Sequence, residues 1–401
     1  MTSDCIVPVV EISNIRIHPG ADMLSIAEVL GYQVVNGLVE DPNGTVFREF
    51  VRSARDERGR RVPASEENTD HIEEVRYSFR YKEGDKVVYF PADTVLTDEW
   101  AEKFEVKHLL KGENRVGRTR LRGEASFGLC VEIPKGQNWE LGQNVAEFFG
   151  ATKYRPPVRT EQGDFAPYDS SIDPYFENYT DIQNGKLLYG KFLPGEEVVA
   201  TEKLHGCNSK VGIVKGLSAY QVGSRSNRRI DPCPDWGVEN VDEFYKNHLY
   251  WGPIAKPEVR ALLDHLREKS NGGTAIVYGE IYGQGVQSLH YGVGGKKERG
   301  FRAFDISVNG TYLDYDEFVL LCQQYDVDRV PALYRGPFDL KKIDEISDGV
   351  STLPGADNIR EGVVVRTVKE RNDPAIGRVC LKFIGTSYQL SKHQKKDTTD
   401  V

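Results

Sequence analysis

Apolar and polar residues alternate in short runs over the first 150 positions of the chain, and turn-forming residues separate the runs. Examples are CIVPVVEI, DKVVYF and SFGLCVEI. Alternation with a period of two predicts half-buried β-strands, and a series of short strands joined by turns is typical of a small β-barrel. Residues 41–70 are charged and poor in periodic apolar positions. We expect them to form a long loop inserted in this barrel.

The second half of the chain combines strand-like runs with helical patterns. Apolar residues recur every three or four positions over residues 256–270 and 316–325, which predicts two amphipathic helices. Residues 151–173 are rich in Pro, Tyr and acidic residues, which is typical of a linker. We therefore expect an α+β fold in two domains, residues 1–150 and 174–401, since 401 residues exceed the usual size of one domain.

The run TEKLHGCNSKVG, Thr201–Gly212, places Lys203 and Gly206 three residues apart between two predicted strands. Covalent nucleotidyl transfer to lysine needs such an arrangement. A lysine attacks the α-phosphorus of a nucleoside triphosphate only as the neutral amine, and a free lysine has a pKa of about 10.4. We expect a nearby divalent cation to favour the neutral form. A glycine permits a tight turn and a close backbone approach to a nucleotide. By itself, KxxG is more often an exposed lysine beside a turn glycine.

Four further β-rich runs favour the nucleotidyl-transfer interpretation over an exposed lysine, because each run carries charge that a strand core normally excludes. They are VYGEIYG at 277–283, FRAFDI at 301–306, REGVVVR at 360–366 and VCLKFIG at 379–385. Their charged residues are Glu280, Asp305, Glu361 and Lys382. We expect these four side chains to share a polar cleft, where carboxylates hold a cation and its waters and the lysine contacts phosphate.

The order, spacing and identity of these five segments resemble the nucleotidyltransferase motifs of ATP-dependent RNA ligases. The resemblance is strongest to the Deinococcus-type family, in which an N-terminal OB domain precedes the ligase domain. It extends to YFPADTVL at 89–96 and RLRGEASFGL at 120–129, and so covers nearly the whole chain. It implies an OB-fold domain that binds nucleic acid, followed by an adenylation domain built on antiparallel sheets with flanking helices.

The resemblance also implies roles for individual residues. Lys203 takes AMP, while Glu280 and Glu361 contact ribose and organise the metal with its waters. Lys382 contacts the α-phosphate. The implied nucleotide-binding set is Glu202, Leu204, Gly206, Asn208, Arg225, Phe304 and Lys382, with Glu202 reading the adenine edge and Phe304 stacking on the base. Many relatives carry a further lysine two residues before Lys382, where this chain has Cys380. That cysteine is interpreted as a small core residue.

ATP and a divalent cation, Mg²⁺ or Mn²⁺, are the implied cofactors. The implied partner is RNA with 3′-OH and 5′-phosphate ends, as single strands or in a nicked duplex. The net charge of −9 requires local basic clusters to attract RNA. The candidates are Arg225, Arg228, Arg229, Lys296 and Lys297. Further candidate clusters lie at 52–61 and 392–396, and each of the basic clusters could equally be solvated surface. His205 either orients phosphate or, as we favour, fills the variable position of KxxG.

Neither a zinc site nor a disulfide framework is indicated by the spacing of the six cysteines and eight histidines. No secretory leader or membrane-spanning run is evident, so we expect a soluble intracellular protein, cytoplasmic or nucleoplasmic, with no obligate protein partner. Two alternative functions remain. One is a DNA ligase or mRNA-capping guanylyltransferase that shares the lysine motif, and the other is a noncatalytic protein that binds RNA ends.

Overall fold

The computed structural model describes residues 5–51, 72–154, 176, 178–225, 227–232, 245–246, 248–293 and 299–391. The chain divides into two compact units, Met1–Arg155 and Pro156–Val401. Their sheets and few helices make a mixed α+β fold. Among the described residues, no helix is long and apolar enough to cross a membrane. Cys130, Cys322 and Cys380 are free thiols.

The first unit is built mainly from short strands and one helix of two turns. Its elements are β1 (Val9–Glu11), β2 (Asn14–Ile17), β3 (Leu24–Val29), β4 (Tyr32–Gly37), β5 (Val39–Glu40), β6 (Val46–Val51), β7 (Ile72–Ser78), β8 (Lys86–Pro91), β9 (Thr94–Val95), α1 (Asp98–Lys103), β10 (Arg118–Leu121), β11 (Glu124–Glu132) and β12 (Thr152–Lys153). Single 3-10 turns lie at Lys107–Leu109 and Gly112–Asn114.

The strands predicted from CIVPVVEI, DKVVYF and SFGLCVEI are confirmed as β1, β8 and β11, which pair in the order β1-β8-β11-β10. The other ladders are β2-β3-β4, β5-β7-β6 and β12-β9. These ladders are separate in the described residues, so the OB barrel remains a prediction. The expected loop at 41–70 is wrong in part, because Val46–Val51 pairs antiparallel with Ile72–Ser78. The run VFREFV in that segment is rich in strand-favouring residues.

The second unit contains two larger sheets with helices on their outer faces. Its elements are β13 (Gln183–Asn184), α2 (Gly185–Leu188), β14 (Glu197–Lys203), β15 (Cys207–Ile213), β16 (Gln221–Ser224), β17 (Arg228–Arg229), α3 (Pro257–Lys269), β18 (Ala275–Gly283), β19 (Arg299–Val308), β20 (Thr311–Tyr312), α4 (Tyr315–Gln324), β21 (Ala332–Pro337), α5 (Leu340–Ser347), β22 (Gly362–Thr367), β23 (Asn372–Asp373), β24 (Gly377–Arg378), β25 (Cys380–Ile384) and α6 (Thr386–Leu390). Further 3-10 turns lie at Tyr189–Lys191 and Gly252–Ala255.

One sheet has the order β13-β25-β22-β14-β21 and the other β17-β16-β15-β18-β19-β20. Helices α3 and α4 confirm the two predicted helices within one residue at each end. They bury their apolar faces in the same cluster as β15, β18 and β19. Helix α5 packs on the five-stranded sheet through Ile343. Helices cover one face of each sheet, so polar residues can line a cleft on the face that the helices leave uncovered.

Candidate active site

A cavity that is open to solvent takes its walls from both sheets of the second unit. The predicted residues that line it are Glu202, Lys203, Leu204, Asn208, Arg225, Glu280, Phe304 and Lys382. Sequence analysis did not assign the other lining residues to the site, except to place Cys380 beside it. They are Tyr179, Thr180, Ile182, Thr201, Val330, Val364, Arg366 and Cys380. Five separate sequence segments therefore converge on one cavity, and of their four predicted charges Glu280 and Lys382 line it.

Strand register explains why these side chains meet. In the five-stranded sheet, Thr201 lies opposite Val364, and Val364 lies opposite Lys382. In the six-stranded sheet, Asn208 lies opposite Glu280. Because side chains directly opposite each other in a sheet share a face, each row presents its polar groups to the cavity together.

Lys203 ends β14 and forms an ion pair with Glu361, the residue before β22. The lysine Nζ lies 2.6 Å from Glu361 Oε1, and their side chains are 16 % and 4 % exposed. Glu361 does not line the cavity itself but lies behind the lysine. The contact makes Glu361 a hydrogen-bond acceptor beside the amine that is expected to react.

His205 is buried in a hydrogen-bonded network, a contact pattern that the KxxG motif did not indicate. Its Nδ1 lies 3.1 Å from the hydroxyl of Tyr388 and 3.7 Å from Glu361 Oε2, and its Nε2 lies 3.1 Å from Ser288 Oγ. The Tyr291 hydroxyl accepts the backbone N–H of His205 at 2.6 Å. The histidine is therefore more than a filler of the motif, since it ties the loop after Lys203 to Ser288 and to Tyr388.

Gly206 is needed for packing between strands, a reason that the KxxG motif did not give. A Cβ atom at this position would lie 2.1 Å from the carbonyl oxygen of Ile281. That distance is well inside van der Waals contact, so any other residue would displace the turn or β18. Gly206 does not line the cavity in this structure.

Phe304 and Asp305 are neighbours in sequence, but only Phe304 faces the cavity. A bulge interrupts the pairing of β18 with β19, where Tyr278 pairs with Asp305 and Gly279 pairs with Ala303. The residue left over in this register is Phe304. Bulges redirect side chains in this way and are frequent beside active sites.

The prediction that Asp305 shares the polar cleft is wrong. Its side chain is fully buried and accepts hydrogen bonds from Arg366 at 2.8 Å and from Tyr179 at 2.8 Å. Arg378 lies 2.5 Å from Oδ2, the oxygen that accepts from Tyr179. Burial raises the pKa of Asp305, but the two guanidinium groups outweigh that effect and hold the pKa below its ordinary value. Asp305 therefore supports the wall of the cavity from behind.

Cys380 lines the cavity and is 1 % exposed. Burial raises the pKa of its thiol, and the nearby Arg378 opposes that shift. The thiol is accordingly neutral at physiological pH. Cys380 lies opposite Arg366 in the sheet, and Arg366 also lines the cavity. A guanidinium is therefore present near the position where many relatives have a lysine.

The predicted basic cluster divides into two parts. Arg225 lines the cavity and forms an ion pair of 2.7 Å with Asp181. Arg228 and Arg229 form β17 at the edge of the six-stranded sheet and lie outside the cavity lining, and the Arg229 guanidinium stacks 4.3 Å from the Tyr250 ring centroid. Lys296 and Lys297, like the segments at 52–61 and 392–396, lie outside the described residues.

The carboxylates near the cavity fit a weakly coordinated cation. Glu280 lines the cavity, and Glu361 lies behind Lys203. In the described residues there is no group of three or more His, Cys, Asp or Glu that could hold a metal ion. Mg²⁺ commonly takes one or two carboxylates and completes its shell with waters and substrate phosphates. The donor set therefore fits an ion that arrives with a nucleotide.

Comparison with protein families gives a match to RNA ligase over residues 196–384. The chain is also similar to solved structures of the Naegleria gruberi RNA ligase, at 20 % identity. An apo variant has a TM-score of 0.59 over 99 % of this chain and 100 % of that one. A variant with ATP and Mn has a TM-score of 0.61 over 98 % and 100 %, and the complex with PPi has 0.58 over 98 % and 99 %. No curated protein sequence matches the chain. The structural likeness shows a shared fold. Residues 196–384 match the RNA ligase family, so this part of the chain is identified as an RNA ligase domain.

Proposed function

We propose that the chain is an ATP-dependent RNA ligase of the Deinococcus type that joins a 3′-OH end to a 5′-phosphate end. Lys203 attacks the α-phosphorus of ATP, a P–N bond forms, and the bond to pyrophosphate breaks. AMP then passes to the RNA 5′-phosphate. The 3′-hydroxyl attacks that activated phosphate and AMP leaves. Covalent catalysis of this kind divides one difficult substitution into easier steps.

The observation that carries the proposal is the environment of Lys203. Its amine lies at the end of β14, lines the cavity and contacts the buried carboxylate of Glu361 at 2.6 Å. This geometry holds the nucleophile in one place and provides an acceptor for the proton that the amine must lose. A surface lysine beside a turn would have neither contact.

Residues on both sheets are placed to bind the nucleotide around that amine. Phe304 offers a ring to the base, and Glu202 offers a carboxylate to its edge. Lys382 and Arg225 also line the cavity and supply positive charge for phosphates. Side chains fixed by strand register need little rearrangement before reaction, and this is how preorganised charge stabilises a transition state.

ATP and a divalent cation are the proposed cofactors, and structures of the Naegleria ligase with ATP and Mn support both. Glu280, with Glu361, would hold the cation through its waters. When bound, the cation would neutralise charge that develops on the leaving pyrophosphate. Mg²⁺ and Mn²⁺ both suit such a shell of carboxylate, water and phosphate oxygens.

We propose that the first unit is an OB-fold domain that grips RNA beside the break. Its short strands and antiparallel hairpins support this assignment. OB domains bind single strands through basic grooves and aromatic platforms. In the second unit, Arg228 and Arg229 are proposed to contact the RNA backbone near the end that reacts.

Joining of RNA tests this function directly. The substrate is an RNA with a labelled 5′-phosphate, annealed on a splint beside an RNA with a 3′-OH, in the presence of ATP and Mg²⁺. We expect the label to enter a longer, phosphatase-resistant product. Lys203→Ala should abolish the product, and the exposed Lys215→Ala should retain it. Joining of DNA only, or label that stays phosphatase-sensitive, would contradict the proposal.

A further inference from the structure

Glu202, the residue before the nucleophile, has two carboxylate oxygens in different environments. The residue is 1 % exposed and lines the cavity. Its Oε2 accepts hydrogen bonds from the backbone N–H of Thr352 at 2.9 Å and from the Thr352 hydroxyl at 2.7 Å. Its Oε1 is buried with no hydrogen-bond partner among the described residues.

The contacts on Oε2 fix the orientation of the carboxylate. The segment 346–353 that carries Thr352 is itself anchored, because Arg360 donates to the carbonyls of Ile346, Asp348 and Val350. Arg360 Nε lies 3.8 Å from Glu202 Oε2 and adds positive charge on that side. Donors and charge therefore gather around one oxygen and leave the other as an acceptor.

A buried carboxylate oxygen without a donor is costly, and a ligand donor would remove the cost. At the base end of a purine nucleotide, a 6-amino group supplies N–H donors. A purine that lacks this group leaves Oε1 unpaired, and sites built to bond a donor reject such analogues strongly. The orientation of Glu202 thus determines how well the site distinguishes a 6-aminopurine.

We infer that Thr352 is a positioning residue for base recognition: its hydroxyl holds Glu202 so that Oε1 accepts from the 6-amino group of the nucleotide. The inference rests on the proposed function and deepens it. Thr352 is an exposed residue that does not line the cavity, so it acts only through Glu202. No motif in the sequence marks it, since it lies 150 residues from Glu202.

The test compares ATP with purine riboside triphosphate, which lacks only the 6-amino group. The rate of lysyl-nucleotide formation is measured against the concentration of each nucleotide for the wild type, Thr352→Val and Thr352→Ser. Valine keeps the shape and the backbone N–H but removes the hydroxyl, whereas serine keeps the hydroxyl. Because Thr352 is exposed, the valine variant is expected to fold, and circular dichroism checks this.

We expect Thr352→Val to raise the KM for ATP about tenfold, the range for a lost hydrogen bond to a charged group, with a smaller change in kcat. The KM for purine riboside triphosphate should stay the same, so the preference for ATP falls about tenfold, and Thr352→Ser should restore it. If Thr352→Val left the preference for ATP unchanged, or raised the KM equally for both nucleotides, the inference would be overturned. The ligase function would still stand. Absence of any lysyl-nucleotide in the wild type would instead overturn the ligase function, and the inference with it.

Discussion

Replacing Arg378 by methionine removes one of two cations that neutralise Asp305 behind the cavity. Arg378 is 7 % exposed, and its Nη1 lies 2.5 Å from an Asp305 oxygen. It also donates to Glu370 at 2.6 and 2.7 Å and to the Tyr179 hydroxyl at 3.0 Å. Methionine fills similar volume but bonds none of these groups. The substitution leaves buried carboxylates short of a partner.

The expected loss is about 3–5 kcal/mol of unfolding free energy, the range for breaking one side of a buried ion pair. Domains of this kind are stable by about 5–15 kcal/mol, so the variant should fold at low temperature and unfold in much less urea. Urea titration followed by intrinsic fluorescence measures the change. Because the chain has two units, ATP is used to identify the transition of the second unit, which bound ligand shifts to higher urea.

Lys369→Met is the matched control for this prediction. Lys369 also pairs with an aspartate, Asp314, at 2.7 Å, but its side chain is 80 % exposed. Exposed pairs contribute little because water screens them, so the urea midpoint should barely move. If Arg378→Met lost less than about 1 kcal/mol of unfolding free energy, or no more than the control, the pairing of buried charges would not explain the stability of this part of the fold.

Three other substitutions or conditions test separate parts of the account. Gly206→Ala should lower the stability of the second unit by about 1–3 kcal/mol through the clash with Ile281, and an unchanged melting temperature would refute this. The folded pKa of Asp305 lies below its ordinary 3.8, so its stabilising contribution is full above about pH 4 and is lost as pH falls through the lower value. Urea titrations at pH 7 and pH 3 should therefore show that the difference in unfolding free energy between wild type and Asp305→Asn is smaller at pH 3. An equal difference at both pH values would contradict the ion pairing that we assign to Asp305. Lys382→Ala should slow lysyl-AMP formation by roughly 10²–10³-fold, as for loss of a preorganised charge. Time courses with labelled ATP measure this rate, and a loss of less than about tenfold would contradict the role of Lys382.

Local patterns predicted much of the fold but only part of the lining of the site. The two helices and the strands of the ligase motifs follow from periodicity, and their charges indicated a common cleft. Lys203, Glu280 and Lys382 all line the cavity as expected. This worked because each charged residue lies on or beside a strand whose own pattern is strong.

The remaining features depend on contacts between distant segments, which a local pattern does not record. The sequence predicted Asp305 in the cleft, but with the bulge at Phe304 its side chain contacts Arg366 and Arg378 instead. The role of Thr352 depends on a loop that reaches Glu202 across 150 positions. Strand β6 was missed because charged residues surround a short run with little alternation.

The most direct test of the central claim is transfer of label from α-labelled ATP to Lys203. The purified protein is incubated with ATP or GTP and a divalent cation, denatured, and examined for bound label with Lys203→Ala and Lys215→Ala in parallel. The account predicts label from ATP that maps to the peptide containing Lys203, is absent from Lys203→Ala and is retained in Lys215→Ala. Folded protein, free of prebound AMP, that takes no label from ATP, or takes it equally without Lys203, would contradict the account.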